Sequence, residues 1–254
     1  MARTEAAVVR DAAKVMLTRY PQMYDALRRP YAAARFWLRQ SHDADYGVFG
    51  LFADREGVFL DVGANAGMSA LSFRIYNKTS PIVSIEPNPF HEGDLRFAGR
   101  LARRLSYHMW AAGREHGELT LHVPIYRSVP LTTEASLILE NVTGSSSLRV
   151  RLGPRIDSAD FEVVSCVVSV RPLDSLDLSP AFIKLDVQGF EHEVLLGSLE
   201  TLRRARPVLL IETPDAMVRQ CLSGLGYEPF TYLPGERRLV PETNKRVNTV
   251  FIAR

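Results

Sequence analysis

Three short stretches of this chain combine carboxylates and glycines at spacings that could build a ligand site. In FLDVGANAGMSA, residues 59–70, Asp61 stands near the end of an apolar run, and Gly63, Asn65 and Gly67 follow at alternate positions. Glycine accepts backbone angles that other residues avoid and lets a ligand approach the main chain. The amides of such a turn, with the helix N-terminus behind it, can meet a nucleotide-like cofactor. In SIEPNP, residues 84–89, Glu86 ends the next apolar run, roughly 20 residues on, where an acid can accept both ribose hydroxyls of an adenosine. The same carboxylate could instead cap a helix starting at Asn88. In FIKLDVQGFEHEVL, residues 182–195, Asp186 falls where a strand should end, and Glu212 of LLIETP ends the following strand in the same manner.

These side chains suit proton transfer. Asp186 is the first candidate for a base or acceptor positioner and Glu212 the second. His108, near a strand end, and His192, on the helix after Asp186, have a suitable side-chain pKa for the same task. Asp186 and Glu212 could also hold a divalent metal such as magnesium, which would acidify a hydroxyl. The glycine turn is not a dinucleotide fingerprint: G-x-G-x-x-G needs glycine where Asn65 and Met68 stand. Nor is it a phosphate loop, because no Gly-Lys-Ser/Thr follows.

The elements that must position these residues read as strands alternating with helices. Strands are expected at Val58–Gly63, Pro81–Glu86, Ser106–Ala112, Phe182–Val187, Pro207–Thr213, Tyr227–Leu233 and Thr249–Ala253, with helices from Gly67, Asn88, Phe190 and Asp215. That alternation implies a mostly parallel sheet covered on both faces. Leu119–Ile125, Ala135–Glu140 and Phe161–Val170 are further β-prone runs, and the Gly- and Ser-rich stretch 141–160 reads as a long mobile loop. Residues 1–52 form a helical extension, with Val9, Ala12, Ala13, Met16 and Tyr20 at helical spacing and a second helix from Met23 toward Leu38 broken near Pro30. Residues 53–254 form the main domain. The extension and the 141–160 stretch are expected to shape an acceptor pocket.

Composition narrows the partners. The chain has 254 residues, 46% hydrophobic and 24% charged, with a formal net charge of +2. This is ordinary for a globular protein and too balanced to favour nucleic acid or an anionic membrane. Two distant cysteines, Cys166 and Cys221, read as buried free thiols. With no apolar run near the ~20 residues of a membrane span and no signal peptide, a cytoplasmic location is expected.

Taken in order, DVGANAG, IEPNP, VSVRPLDSL, IKLDVQGFE and LLIET resemble the FkbM family of methyltransferases, from about Val58 to the C-terminus. The resemblance implies a class I methyltransferase Rossmann-like fold, S-adenosylmethionine as cofactor, and O-methylation of a sugar, glycolipid, polyketide or related natural product. It assigns cofactor contacts to Asp61, Gly63, Ala64, Asn65, Gly67, Glu86 and Pro87, and places Ala112, within Ala111–Gly113, near the adenine. It also implies a small-molecule, sugar or glycolipid acceptor and leaves room for a homodimer. One position departs from the family pattern D-V-E-G-x-E, since Gln188 replaces its middle acid. Methylation of nitrogen in a small molecule or protein, and a non-catalytic cofactor-binding domain, are the competing readings.

Overall fold

The computed structural model describes residues 20–244 and 247–254. The chain forms two compact units. One takes in the chain up to Ala33 and Leu119–Val167; the other comprises Ala34–Glu118 and Val168–Arg254.

The larger unit is built on an eight-stranded sheet. Its strands are β1 (Val58–Val62), β2 (Ile82–Ile85), β3 (Leu105–His108), β8 (Pro180–Leu185), β9 (Val208–Glu212), β10 (Tyr227–Leu233), β11 (Arg238–Pro241) and β12 (Asn248–Ala253). The order is β11-β10-β12-β9-β8-β1-β2-β3. Pairing is parallel from β3 through β9, and β12 enters antiparallel between β9 and β10. The chain therefore runs outward from β1 to β3 and returns to β8 on the other side of β1. This reversal puts a crevice at the carboxyl ends of β1 and β8, where open α/β sheets bind ligands. The expected mostly parallel sheet with helices on both faces is the observed architecture.

The two faces of the sheet differ in chemistry. One carries Leu60, Val62, Ile183, Leu185, Leu209 and Ile211, which pack with Val194, Leu195, Leu202, Val218 and Leu222 into the main core. These last residues come from helices α6 (Glu191–Leu196), α7 (Leu199–Ala205) and α8 (Ala216–Gly224). On the other face, Phe59 of β1 and Phe182 of β8 meet Phe73 of α2 (Met68–Tyr76) and Phe49 of a 3-10 segment, Ala44–Phe52. Phe59 and Phe73 stack with ring centroids 4.0 Å apart, and Phe49 meets three of these rings edge-on at 5.2–5.5 Å. Aligned with one another along the rows above, Ser84, Asp61 and Lys184 replace the aromatics on that same face. A polar row thus sits directly over a dry aromatic floor.

Several expectations change. The helix expected from Phe190 is two helices, parted at Gly197 and Ser198, and a Cβ at Gly197 would lie 2.0 Å from the Gly113 carbonyl oxygen, which keeps that position glycine. Ser106–Ala112 is split into β3 and β4 (Ala111–Ala112), and β4 pairs with the end of β7 (Phe161–Arg171). Helix α1 runs unbroken over Pro21–Trp37 with Pro30 inside it. The earlier helical stretch, Val9–Met16, lies outside the described residues. Both cysteines are half-buried rather than buried.

In the smaller unit, β5 (Gly117–Tyr126) turns back on β6 (Val129–Pro130). Stretch 141–160 is not a loop. It holds most of α4 (Leu139–Thr143), α5 (Ser146–Leu152) and a 3-10 turn, Gly153–Asp157. Ser145 caps α5 by accepting a hydrogen bond from the Leu148 N–H at 3.1 Å. Val142, Leu148, Leu152 and Ile156 close a small core with Tyr126 and Leu131. The β-prone run Ala135–Glu140 contributes only a bridge from Ser136 to His122. Among the described residues, no helix is long and apolar enough to cross a membrane.

Candidate active site

The turn after β1 is shaped by three left-handed residues, Gly63 (φ 75°), Asn65 (φ 49°) and Gly67 (φ 79°). Gly63 is required because a Cβ there would lie 1.8 Å from the Asp186 carbonyl oxygen, and Gly67 because a Cβ would meet Ala98 at 2.8 Å. Both glycines therefore serve close packing within the protein: one joins the ends of β1 and β8, the other seats α2 against α3 (Glu92–Leu101). The turn's amides are engaged within the protein. Gly63 and Ala64 both donate to the Ile85 carbonyl, Asn65 to Glu86 Oε2 at 2.7 Å, Ala66 to Asn65 Oδ1 and Gly67 to the Ala64 carbonyl. A pyrophosphate would need such donors free. Acceptors, in contrast, are plentiful.

Asp61 is fully buried. Its Oδ2 accepts from Ser69 Oγ at 2.6 Å and Ser84 Oγ at 3.3 Å, while Oδ1 has no hydrogen-bond partner. Burial pushes its carboxyl pKa up, against the pull of Lys184. Glu86 is also buried, and accepts from the N–H groups of Asn65 and Asn88 with one oxygen each. The capping role of Glu86 is therefore real, and each oxygen keeps a second lone pair. Burial raises its pKa as well.

Beside the turn lies a small pocket of about 40 Å³, partly open to solvent, at the ends of β8 and β9. Lys184, Asp186 and Glu212 line it from the sheet, Asn248 from β12, and His42, Asp43 and Tyr46 from the segment before β1. Asp186 and Glu212 are neighbours in this pocket, close enough for each carboxyl group to act on the other. The Glu212 pKa is pushed up to about 7, first by burial, then by the charge and hydrogen bond of Asp186, while Lys184 pulls it down. Glu191 organises the turn behind Asp186, accepting from the Val187 N–H at 3.1 Å and from Gly189 with both oxygens. Gln188 is exposed in a left-handed conformation (φ 54°) on that turn.

His42 is not a base. Its Nδ1 lies 2.8 Å from Ser72 Oγ, its ring also bonds the Met68 backbone, and burial followed by the charge of Lys184 lowers its pKa to about 4. Tyr46 is buried, and burial followed by the Asp61 charge raises its pKa well above the ordinary phenol value.

Residues 61–229 match the methyltransferase FkbM domain. The chain belongs to the FkbM methyltransferase family. Among solved structures it is similar to the FkbM methyltransferase of Methylobacillus flagellatus (18% identity, TM-score 0.47, 78% of this chain and 43% of that one). It is also similar to the precorrin-6y C5,15-methyltransferase of Geobacter metallireducens (12% identity, TM-score 0.41, 82% and 84%). A third is a TehB-like methyltransferase of Corynebacterium glutamicum (11% identity, TM-score 0.41, 93% and 97%). The chain thus spans less than half the length of the first of these structures. No curated protein matches it.

The donor set fits the family's cofactor. S-adenosylmethionine presents an ammonium and two ribose hydroxyls, all donors, and this turn presents acceptors: the unpartnered Oδ1 of Asp61 and the free lone pairs of Glu86. Of the other residues assigned to it, Ala64 is buried in the turn and Pro87 is half-buried beside Glu86. Ala112 is buried in the main core alongside Trp110. A magnesium site on Asp186 and Glu212 finds no support. Among the described residues no group of three His, Cys, Asp or Glu could hold a metal, and the Lys184 ammonium lies 3.2 Å from Asp186 Oδ2.

The sheet brings Asp186 and Glu212 together and leaves the two histidines apart. His108 ends β3, at the sheet's edge, with its ring 5.9 Å from that of Trp110. His192 Nδ1 lies 3.8 Å from Glu193 Oε1 on α6, and neither histidine lines the pocket. Sequence reading passed over Lys184, His42, Tyr46 and Asn248. Only Lys184 carried a signal, as the single charge in an otherwise apolar strand, PAFIKL, where a lysine is rarely buried unpaired.

Proposed function

We propose that this methyltransferase modifies a hydroxyl oxygen of a sugar, glycolipid or polyketide-like natural product, and that the Asp186–Glu212 pair receives the acceptor's proton. The observation that carries this reading is the juxtaposition of Asp186 and Glu212 in a polar pocket beside the glycine turn, where burial and the Asp186 charge push the Glu212 pKa up to about 7. An alcohol is a weak nucleophile until its proton leaves. A base with a pKa near the working pH helps by roughly 10²–10⁴-fold.

S-adenosylmethionine supplies the chemistry of a methyl group already activated on a sulfonium. Asp61 and Glu86 would hold its ammonium and ribose, with Gly63, Ala64, Asn65, Gly67 and Pro87 forming the surrounding turns and Ala112 the adenine side. The remaining task of the protein is orientation, which can lower a barrier by about 7–11 kcal/mol in favourable intramolecular models. Asp43, Asn248 and Lys184 offer hydrogen-bond acceptors and donors to a hydroxyl-rich acceptor, and Asp186 and Glu212 face its reacting oxygen.

The test incubates the protein with methyl-labelled cofactor and a panel of sugars, glycolipids and polyketides, each paired with an amine analogue. Label on oxygen supports the reading. Label on nitrogen alone, or bound cofactor with no transfer to any hydroxyl, overturns it.

A further inference from the structure

Lys184 stands in a strand whose other members are apolar, and it is 7% exposed. Burying an ammonium is costly unless it is paired and hydrogen-bonded, and an apolar residue of similar size would serve packing as well. Here the ammonium makes one hydrogen bond and stands within ion-pair distance of two carboxylates. Nζ donates to the Gly63 carbonyl at 2.7 Å, lies 3.2 Å from Asp186 Oδ2, and stands 4.0 Å from Asp61 Oδ1. One side chain therefore touches the glycine turn after β1, the acid that begins it, and one half of the carboxyl pair.

We propose that Lys184 is a positioning residue of the methyl-transfer site: anchored on the Gly63 carbonyl and paired with Asp186, it holds Asp186 as the charged member of the pair, so that a proton taken up by the pair goes to Glu212. The groups facing the pair support this assignment. Asp61 from β1 and Asp43 from the 3-10 segment are acids, Tyr46 and Asn248 are uncharged, and His42 is neutral. Lys184 is therefore the cation among the residues that line the pocket, and its ammonium is on Asp186 rather than Glu212. Electrostatic attraction favours ionisation of the carboxyl nearest the cation. The inference rests on the reading of the pair as proton acceptor, and it is tested without cofactor or acceptor.

The experiment is a carboxyl-carbon NMR titration of the apo protein, with the Glu212 signal assigned by its loss in Glu212→Gln. Lys184→Gln keeps an N–H for the Gly63 carbonyl and removes the charge. In that variant the Glu212 signal should lose part of its titration amplitude around its wild-type midpoint, as Asp186 takes up the proton, and Lys184→Arg should restore it. A folded Lys184→Gln protein in which Glu212 keeps its full amplitude there overturns the proposal. The wild-type protein gives a second measurement that needs no variant to fold: the side-chain nitrogen of Lys184, labelled with ¹⁵N, should shift with an inflection at the Glu212 midpoint. A flat response overturns the proposal equally. Retained hydroxyl methylation in Glu212→Gln and Asp186→Asn would instead sink the proton-acceptor reading and leave the Lys184 coupling standing.

Discussion

Replacing Gly63 by alanine tests whether the β1 and β8 ends are held as closely as described. The added Cβ would stand 1.8 Å from the Asp186 carbonyl oxygen and 2.8 Å from its carbon. Both are backbone atoms, so no side-chain rotation relieves the contact. The strand ends would have to part by about 1 Å or more in an interior packed like a crystal. That movement would strain the bond from the Asp186 N–H to the Val62 carbonyl and the one from Lys184 to the Gly63 carbonyl. Left-handed alanine costs ~1–2 kcal/mol, and overpacking typically adds ~1–3 kcal/mol. A loss of about 2–5 kcal/mol should lower the thermal midpoint by roughly 5–15 °C for a domain of this size. Gly189→Ala is the control, because Gly189 is also left-handed (φ 98°) but a Cβ there meets nothing within 4 Å. It should show the conformational cost alone, a few degrees. Differential scanning calorimetry with and without S-adenosylmethionine gives both stability and cofactor response. Equal drops in the two variants, or unchanged cofactor affinity in Gly63→Ala, would refute the reasoning.

Other expectations follow from the same geometry. Glu212 has a folded pKa of about 7 against an ordinary value of 4.5, so its contribution to stability is fully present below 4.5 and is lost as pH rises through about 7. Glu212→Gln should flatten that part of the stability–pH curve, read by chemical denaturation at a series of pH values. Activity should move the opposite way, rising through about pH 7 as the pair becomes able to accept a proton, and the variant should lack that limb. Asp61→Asn removes one carboxylate beside a buried ammonium and should weaken cofactor binding at least tenfold by calorimetry; unchanged affinity would remove Asp61 from the cofactor site. Phe49→Ala, which empties the centre of the aromatic floor, should cost about 3–5 kcal/mol in denaturant titrations. A loss below 1 kcal/mol would mean that the 3-10 segment does not anchor the sheet.

The parallel strands and the glycine turn could be read from the sequence because short-range rules set them. Buried strands are continuous apolar runs, and a turn between left-handed residues needs glycine or asparagine. The acids that end β1, β2, β8 and β9 could be read for the same reason, since polarity at the close of an apolar run marks where the chain leaves the core. Interactions distant in sequence were hidden. Lys184 looks like noise inside PAFIKL until Asp61, 123 positions earlier, is seen opposite it in the register. The need for glycine at 197, between α6 and α7, comes from the close approach of Gly113, far upstream. Stretch 141–160 misled through its serines, which suggest a loop by composition but here tie helices down: Ser145 caps α5, and Ser145 and Ser147 both donate to Glu134. The pocket residues of the segment before β1 were missed because nothing local says that Asp43 will accept from Asn248, more than 200 positions away.

The internally engaged amides of the turn bear on how this site could change over evolutionary time. Because each N–H from Gly63 to Gly67 is committed within the protein, the turn holds its shape before any ligand arrives, and binding need not order it. The same commitment closes off the neighbouring cofactor chemistries. A variant that gained glycines at Asn65 and Met68 would carry a dinucleotide signature in its sequence and would free the Ala66 N–H, yet the N–H groups of residues 63–65 would stay claimed by the Ile85 carbonyl and Glu86. Moving to a phosphate-bearing cofactor would require the acid of β2 and the turn to change together, so single substitutions lead to weaker methyltransferases rather than to new oxidoreductases.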